Sequence, residues 1–188
     1  MTPAEYIQLK AYARVDGALL TLVWVASFAC YIVGMDTPVL MVLGLIIAVW
    51  SVFFTWKRTR KFRDEALGGT ISFGRAYGHA ILTFFYAAIL FAIAQYIYFA
   101  FIDGGYILAH VRAMATSEEY SLVLSQYGMK EMLEENIVAM GALRPIDYAI
   151  NYLSVNICAG LVLGLPIATV CRKIKNEDGH ISNSSSVQ

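Results

Sequence analysis

The sequence predicts an all-α fold: a polytopic membrane helical bundle of four transmembrane helices, with a short helical external segment between the third and fourth. Three observations predict it. Of the 188 residues, 59% are hydrophobic and only 15% charged; the apolar residues gather into four long blocks; and the basic residues are divided unevenly among the segments between those blocks. A typical soluble domain carries about 25% charged residues, so this chain has too few polar groups to cover a globule. Inside lipid each backbone N–H and C=O must be bonded within its own segment, which makes the blocks helices, since membrane strands are shorter and alternate.

The first span is expected over about residues 15–35, where 17–35 is free of charge for 19 residues. At about 1.5 Å per residue, such a length crosses about 30 Å of hydrocarbon. Ser27, Phe28 and Ala29 have the spacing a signal peptidase uses, but the apolar run continues through Cys30, Tyr31, Ile32 and Val33, so a retained helix is expected. Gly34, Met35, Asp36, Thr37 and Pro38 form a compact turn in which Asp36 or Thr37 can cap the next helix. The second span follows over about 37–56, giving an antiparallel hairpin.

Beyond Trp56 the run to Ala66 lacks helix breakers and prolongs the second helix, until Gly68 and Gly69 end it. Ser72 can cap the third span, expected over 74–102, which includes a 27-residue apolar stretch with His79 as its ionisable member apart from tyrosines. The external segment, 103–146, starts a helix around Thr116, Ser117 and Glu118; Gly128 divides its apolar stripe into two short helices, and Gly141 with Pro145 closes it. The fourth span is expected over 147–171. Residues 1–175 read as a single membrane domain and 176–188, polar and Ser-rich, as a disordered cytoplasmic tail.

Formal net charge is zero, yet eleven of the 14 Lys and Arg residues fall before the first span, between the second and third, or after the fourth. By the positive-inside rule both termini and the middle loop are cytoplasmic. That loop carries Lys57, Arg58, Arg60, Lys61 and Arg63 at the membrane surface, close to the cluster size that attracts anionic lipid.

No nucleotide-binding glycine loop, nucleophile elbow, zinc helix motif or catalytic cysteine and histidine pairing occurs in the sequence. Cys30, Cys158 and Cys171 lie in or at the ends of spans without metal-ligand spacing, and read as small apolar fillers. Ionisable groups near the bilayer are then the default candidates for function. Arg75 and His79 share a face of the third helix, and Asp16 falls at similar depth on the first. A basic pair there can bind a phosphate head group, and Asp16 with His79 can pass a proton. The competing reading is structural: Arg75 reaches the interface, Asp16 pairs with Arg14 or Arg75, and His79 is bonded within the bundle. Gln95, Asn151, Ser154 and Asn156 are expected to hydrogen-bond between helices. Gly160 and Gly164, continued by Ala168, make a smooth face for helix packing, within the bundle in preference to between copies; Gly74 and Gly78 repeat the spacing.

The run Gly68, Gly69, Thr70, Ile71, Ser72, Phe73, Gly74, Arg75, Ala76, Tyr77, the helix end Tyr98, Phe99, Ala100, Phe101, Ile102, Asp103, and the final Arg172, Lys173, Ile174, Lys175 resemble a bacterial family of unknown function. It is number 4199 among the domains of unknown function and is found mainly in the Bacteroidetes. The resemblance implies a bacterial inner-membrane location and carries no activity, cofactor or catalytic residues with it. The expected function is therefore a non-enzymatic accessory or scaffold protein acting through membrane partners. The alternative is a small carrier or lipid-handling protein, which needs Asp16, Arg75 and His79 to converge on one cavity. Expected partners are membrane lipids, other membrane proteins or further copies of the chain; no cofactor, metal or nucleic acid is expected.

Overall fold

The computed structural model describes residues 2–175 and 181–182. These residues are all-α apart from a two-residue pairing of β1 (Ile174–Lys175) with β2 (Ile181–Ser182). The tail expected to be disordered lies, apart from those last two residues, outside the described ones. Among the described residues four helices are long and apolar enough to cross a membrane, and between 17% and 39% of each apolar window is buried inside the protein. The large remainder needs lipid or partners as its solvent: the second helix alone exposes Val39, Val42, Ile46, Val49 and Phe53. The chain is a multi-pass membrane protein.

Two compact units are present, Met1–Ala92 with Tyr152–Gln188, and Ile93–Asn151. The first holds α1 (Pro3–Gly34) and α2 (Pro38–Lys61), a π-helical turn at Phe62–Ala66, and parts of α3 (Phe73–Phe101) and α7 (Pro145–Cys171). Helix α1 starts well before the apolar block because Thr2 and Glu5 form a capping box: the Thr2 hydroxyl accepts from Glu5 N at 3.3 Å while Glu5 accepts from Thr2 N at 2.7 Å. The turn into α2 places Thr37 at the N-cap without a side-chain bond, and Pro38 opens the helix. The hairpin closes where Ser27 Oγ donates to the Gly44 carbonyl at 2.8 Å, since a Cβ on Gly44 would fall 3.0 Å from the Ser27 carbonyl.

After the π turn, Gly68 and Gly69 adopt φ of 66° and 89°, which side chains other than glycine resist. Ile71 then bonds in both directions with Lys173, at 2.8 and 3.0 Å, fastening the loop before α3 to the chain beyond α7. The core around these contacts includes Leu9, Leu20, Phe62, Phe84, Ile167 and Ala168.

The second unit contains α4 (Tyr106–Thr116), α5 (Glu118–Gln126) and α6 (Lys130–Ala142). Helix α4 was not expected. It begins because Gly104 and Gly105, at φ of 53° and 87°, break the chain after α3, and Asp103 accepts from the N–H of Gly105 at 3.0 Å and of Ile107 at 3.3 Å. Gly128, at φ of 65°, separates α5 from α6 as the sequence implies. Where α7 starts, Asp147 accepts from the Arg144 backbone N–H at 2.9 Å and grips its guanidinium at 3.0 and 2.9 Å.

Candidate functional site

Three helices meet around one buried carboxylate. Asp16 on α1 is 1% exposed and His79 on α3 is fully buried. Gly17 lets α1 and α3 approach this closely, since a Cβ there would fall 2.7 Å from Tyr86 Cβ and 2.9 Å from the Thr83 carbonyl. Asp16 Oδ1 accepts from Arg58 Nε at 2.6 Å and pairs also with its Nη2. Asp16 Oδ2 lies 3.3 Å from His79 Nε2, an ion-pair distance in a direction short of a well-aligned hydrogen bond.

Helix α2 supplies the remaining partners because Ser51, Thr55 and Thr59 recur every four residues and form one buried hydroxyl stripe. Thr59 Oγ1 is 3.1 Å from His79 Nδ1 and 3.0 Å from the Thr55 carbonyl. Phe62, fully buried in the π turn, stacks on the imidazole with centroids 4.6 Å apart and planes at 11°. A charge withdrawn from water near a bilayer is tolerated only where it is paired, and here each charged head has its partner within reach.

Of the expected trio, then, Asp16 and His79 come together and Arg75 does not join them. Its guanidinium donates to Glu5 and to Gln8, each at 3.1 Å, and lies 5.8 Å from the Phe62 ring centroid. The basic segment also divides. Arg58 turns in to Asp16, and Arg63, 7% exposed, grips Asp64 at 2.7 and 3.0 Å and donates to the Cys171 carbonyl at 3.2 Å, filling one of the vacant acceptors at the end of α7. Lys57, Arg60 and Lys61 stay exposed.

The glycine face of α7 packs inside the first unit: a Cβ on Gly160 would meet Phe84 Cβ at 2.6 Å, one on Gly164 would meet the Tyr77 ring at 3.0 Å, and Ala168 is fully buried. Gly74 has nothing within 4 Å of such an atom and Gly78 only Leu9, at 3.8 Å. Gln95 departs from expectation: it is 1% exposed and neither polar atom of its amide finds a hydrogen-bond partner among the described residues. Thr59 and Phe62 were missed as site residues, and Arg58 was expected at the membrane surface and not beside Asp16. The hydroxyl stripe was the available signal, hidden by reading their segment as a surface charge cluster.

The family described as "Protein of unknown function (DUF4199)" has a model that matches residues 16–173, a stretch that contains Asp16, Arg58 and His79 and leaves out Glu5 and Gln8. No curated protein and no solved structure matches the chain. With most of its length matched, the chain belongs to this family of unknown function.

Proposed function

We propose that the protein is a non-enzymatic accessory or scaffold protein of the bacterial inner membrane, with both termini and the loop at 57–69 cytoplasmic, acting through membrane partners. The observation that carries this reading is that Asp16 gives both oxygens to side chains of its own unit, Arg58 and His79, so this deeply buried carboxylate serves as a joint between helices. The basic side chains Lys57, Arg60 and Lys61, exposed on the α2 extension, fit an anionic lipid surface. Met132 and Val138 on α6, and Tyr127 in the turn before it, are exposed apolar side chains suited to a protein contact. The convergence of Asp16 and His79 favours the carrier reading as a second possibility, although Arg75 is engaged elsewhere.

The test is site-specific photo-crosslinking in native membranes from position 127 or 132, with position 162 on α7 as a lipid-facing comparison. Discrete protein adducts from the first two are expected. Lipid adducts alone from all three would sink the accessory reading. The orientation is checked separately by reporter fusions within 57–69, expected to read cytoplasmic, and within 117–128, expected to read external.

A further inference from the structure

We propose that His79 is a buried proton-binding site, able to take up one proton from solvent while both ring nitrogens keep facing a suitable partner in either state. The argument is a count of hydrogens. Nε2 faces Asp16 Oδ2 at 3.3 Å. A carboxylate held by Arg58 can only accept, so the hydrogen belongs on Nε2 in both states. Nδ1 faces Thr59 Oγ1 at 3.1 Å, and a hydroxyl can both donate and accept.

Thr59 has two places for its single hydrogen, because its oxygen is also 3.0 Å from the Thr55 carbonyl. With His79 neutral, the hydroxyl donates to the bare Nδ1. When a proton is added, Nδ1–H donates to Thr59 Oγ1 and the hydroxyl hydrogen rotates to the Thr55 carbonyl. No heavy atom has to move.

The surroundings set the charge balance. From α1 comes Asp16; from α2 comes Arg58, on the other carboxylate oxygen; from the π turn comes the uncharged Phe62 ring. On its own helix, Arg75 is held by Glu5 and Gln8, and the Thr83 hydroxyl donates to the His79 carbonyl at 2.8 Å. Arg63 is turned to Asp64 and Cys171, and α7 carries no charged residue from Tyr152 to Cys171. Asp16 and Arg58 cancel, so uptake takes the cluster from neutral to a single positive charge. This holds whether or not the protein works through partners.

The experiment is nitrogen NMR of the full chain in lipid nanodiscs, labelled at histidine in a His110→Gln, His180→Gln background that leaves His79 as its sole histidine. The expected result is a neutral ring protonated on Nε2 at high pH, converting reversibly to the doubly protonated ring at lower pH. Thr59→Ser should titrate like the parent. Thr59→Val, which strands the Nδ1 hydrogen, should lower the cation-to-neutral ratio at a given pH about tenfold. A neutral ring carrying its hydrogen on Nδ1, a ring that never gains a proton while the protein stays folded, or a valine variant titrating like the parent would each overturn the proposal. If Thr59→Val does not fold, the tautomer and titration of the parent decide alone.

Discussion

The unit around His79 and the α4 to α6 segment treat polar groups in opposite ways. In the first, Asp16, Thr55, Thr59, His79 and Thr83 are buried and their polar heads find partners within the same unit. In the second, α4 buries no residue and α6 buries only Ile137, and just beyond α6 the Arg144 and Asp147 pair lies at the surface. Burial gives an ion pair its leverage: breaking one in the interior strands a charge, whereas an exposed pair is screened and can be replaced by water. The first unit is accordingly expected to respond sharply to polar substitutions, and the α4 to α6 segment hardly at all.

The largest effect should come from Asp16→Ala, which leaves Arg58 and His79 facing a void. Loss of about 3–5 kcal/mol is expected in equilibrium unfolding from mixed detergent micelles. Next is Gly160→Ala, whose added methyl meets Phe84 Cβ at 2.6 Å; about 1–3 kcal/mol should be lost. Gly164→Ala should cost less because its nearest neighbour is the edge of the Tyr77 ring, and Gly74→Ala, with nothing within 4 Å, should cost least of the three. A reversal of that order would show that α7 does not pack on α3 through this face.

A smaller effect tests the charge division within the basic segment. Replacing Lys57, Arg60 and Lys61 together by Gln should weaken binding of the purified protein to anionic bicelles about tenfold relative to zwitterionic ones, with the fold intact. Replacing Arg63 should instead lower stability, because that side chain ties the π turn to the Cys171 carbonyl. Smallest of all is Arg144→Ala, whose side chain is 76% exposed, and no resolvable change in thermal unfolding is expected.

Much of this was legible in the sequence, for reasons that differ by element. Uninterrupted apolar length is enough to locate four spans, and Gly68, Gly69 and Gly128 mark breaks that the backbone makes at positive φ. Helix α4 escaped notice because its apolar run, Tyr106 to Val111, follows the third span too closely to stand apart from it; only Asp103, Gly104 and Gly105 announce the break. The meeting of Asp16 with His79 was a matter of depth, readable from distance along each helix. The choice of Arg58 over Arg14 or Arg75 was not, since it depends on which face of α2 turns inward. Thr55 and Thr59 record that face, and the Thr2 and Glu5 capping box recorded the early start of α1 that brings Glu5 to Arg75.

The claim that Asp16 joins helices by direct pairing is tested most directly by a double-mutant cycle of Asp16→Asn and Arg58→Gln, read in equilibrium unfolding. Each single variant should destabilise the protein, and the double variant should lose less than the sum by about 1–3 kcal/mol, the signature of partners in contact. Losses that simply add would contradict the pairing and with it the account of how the first three helices are held together.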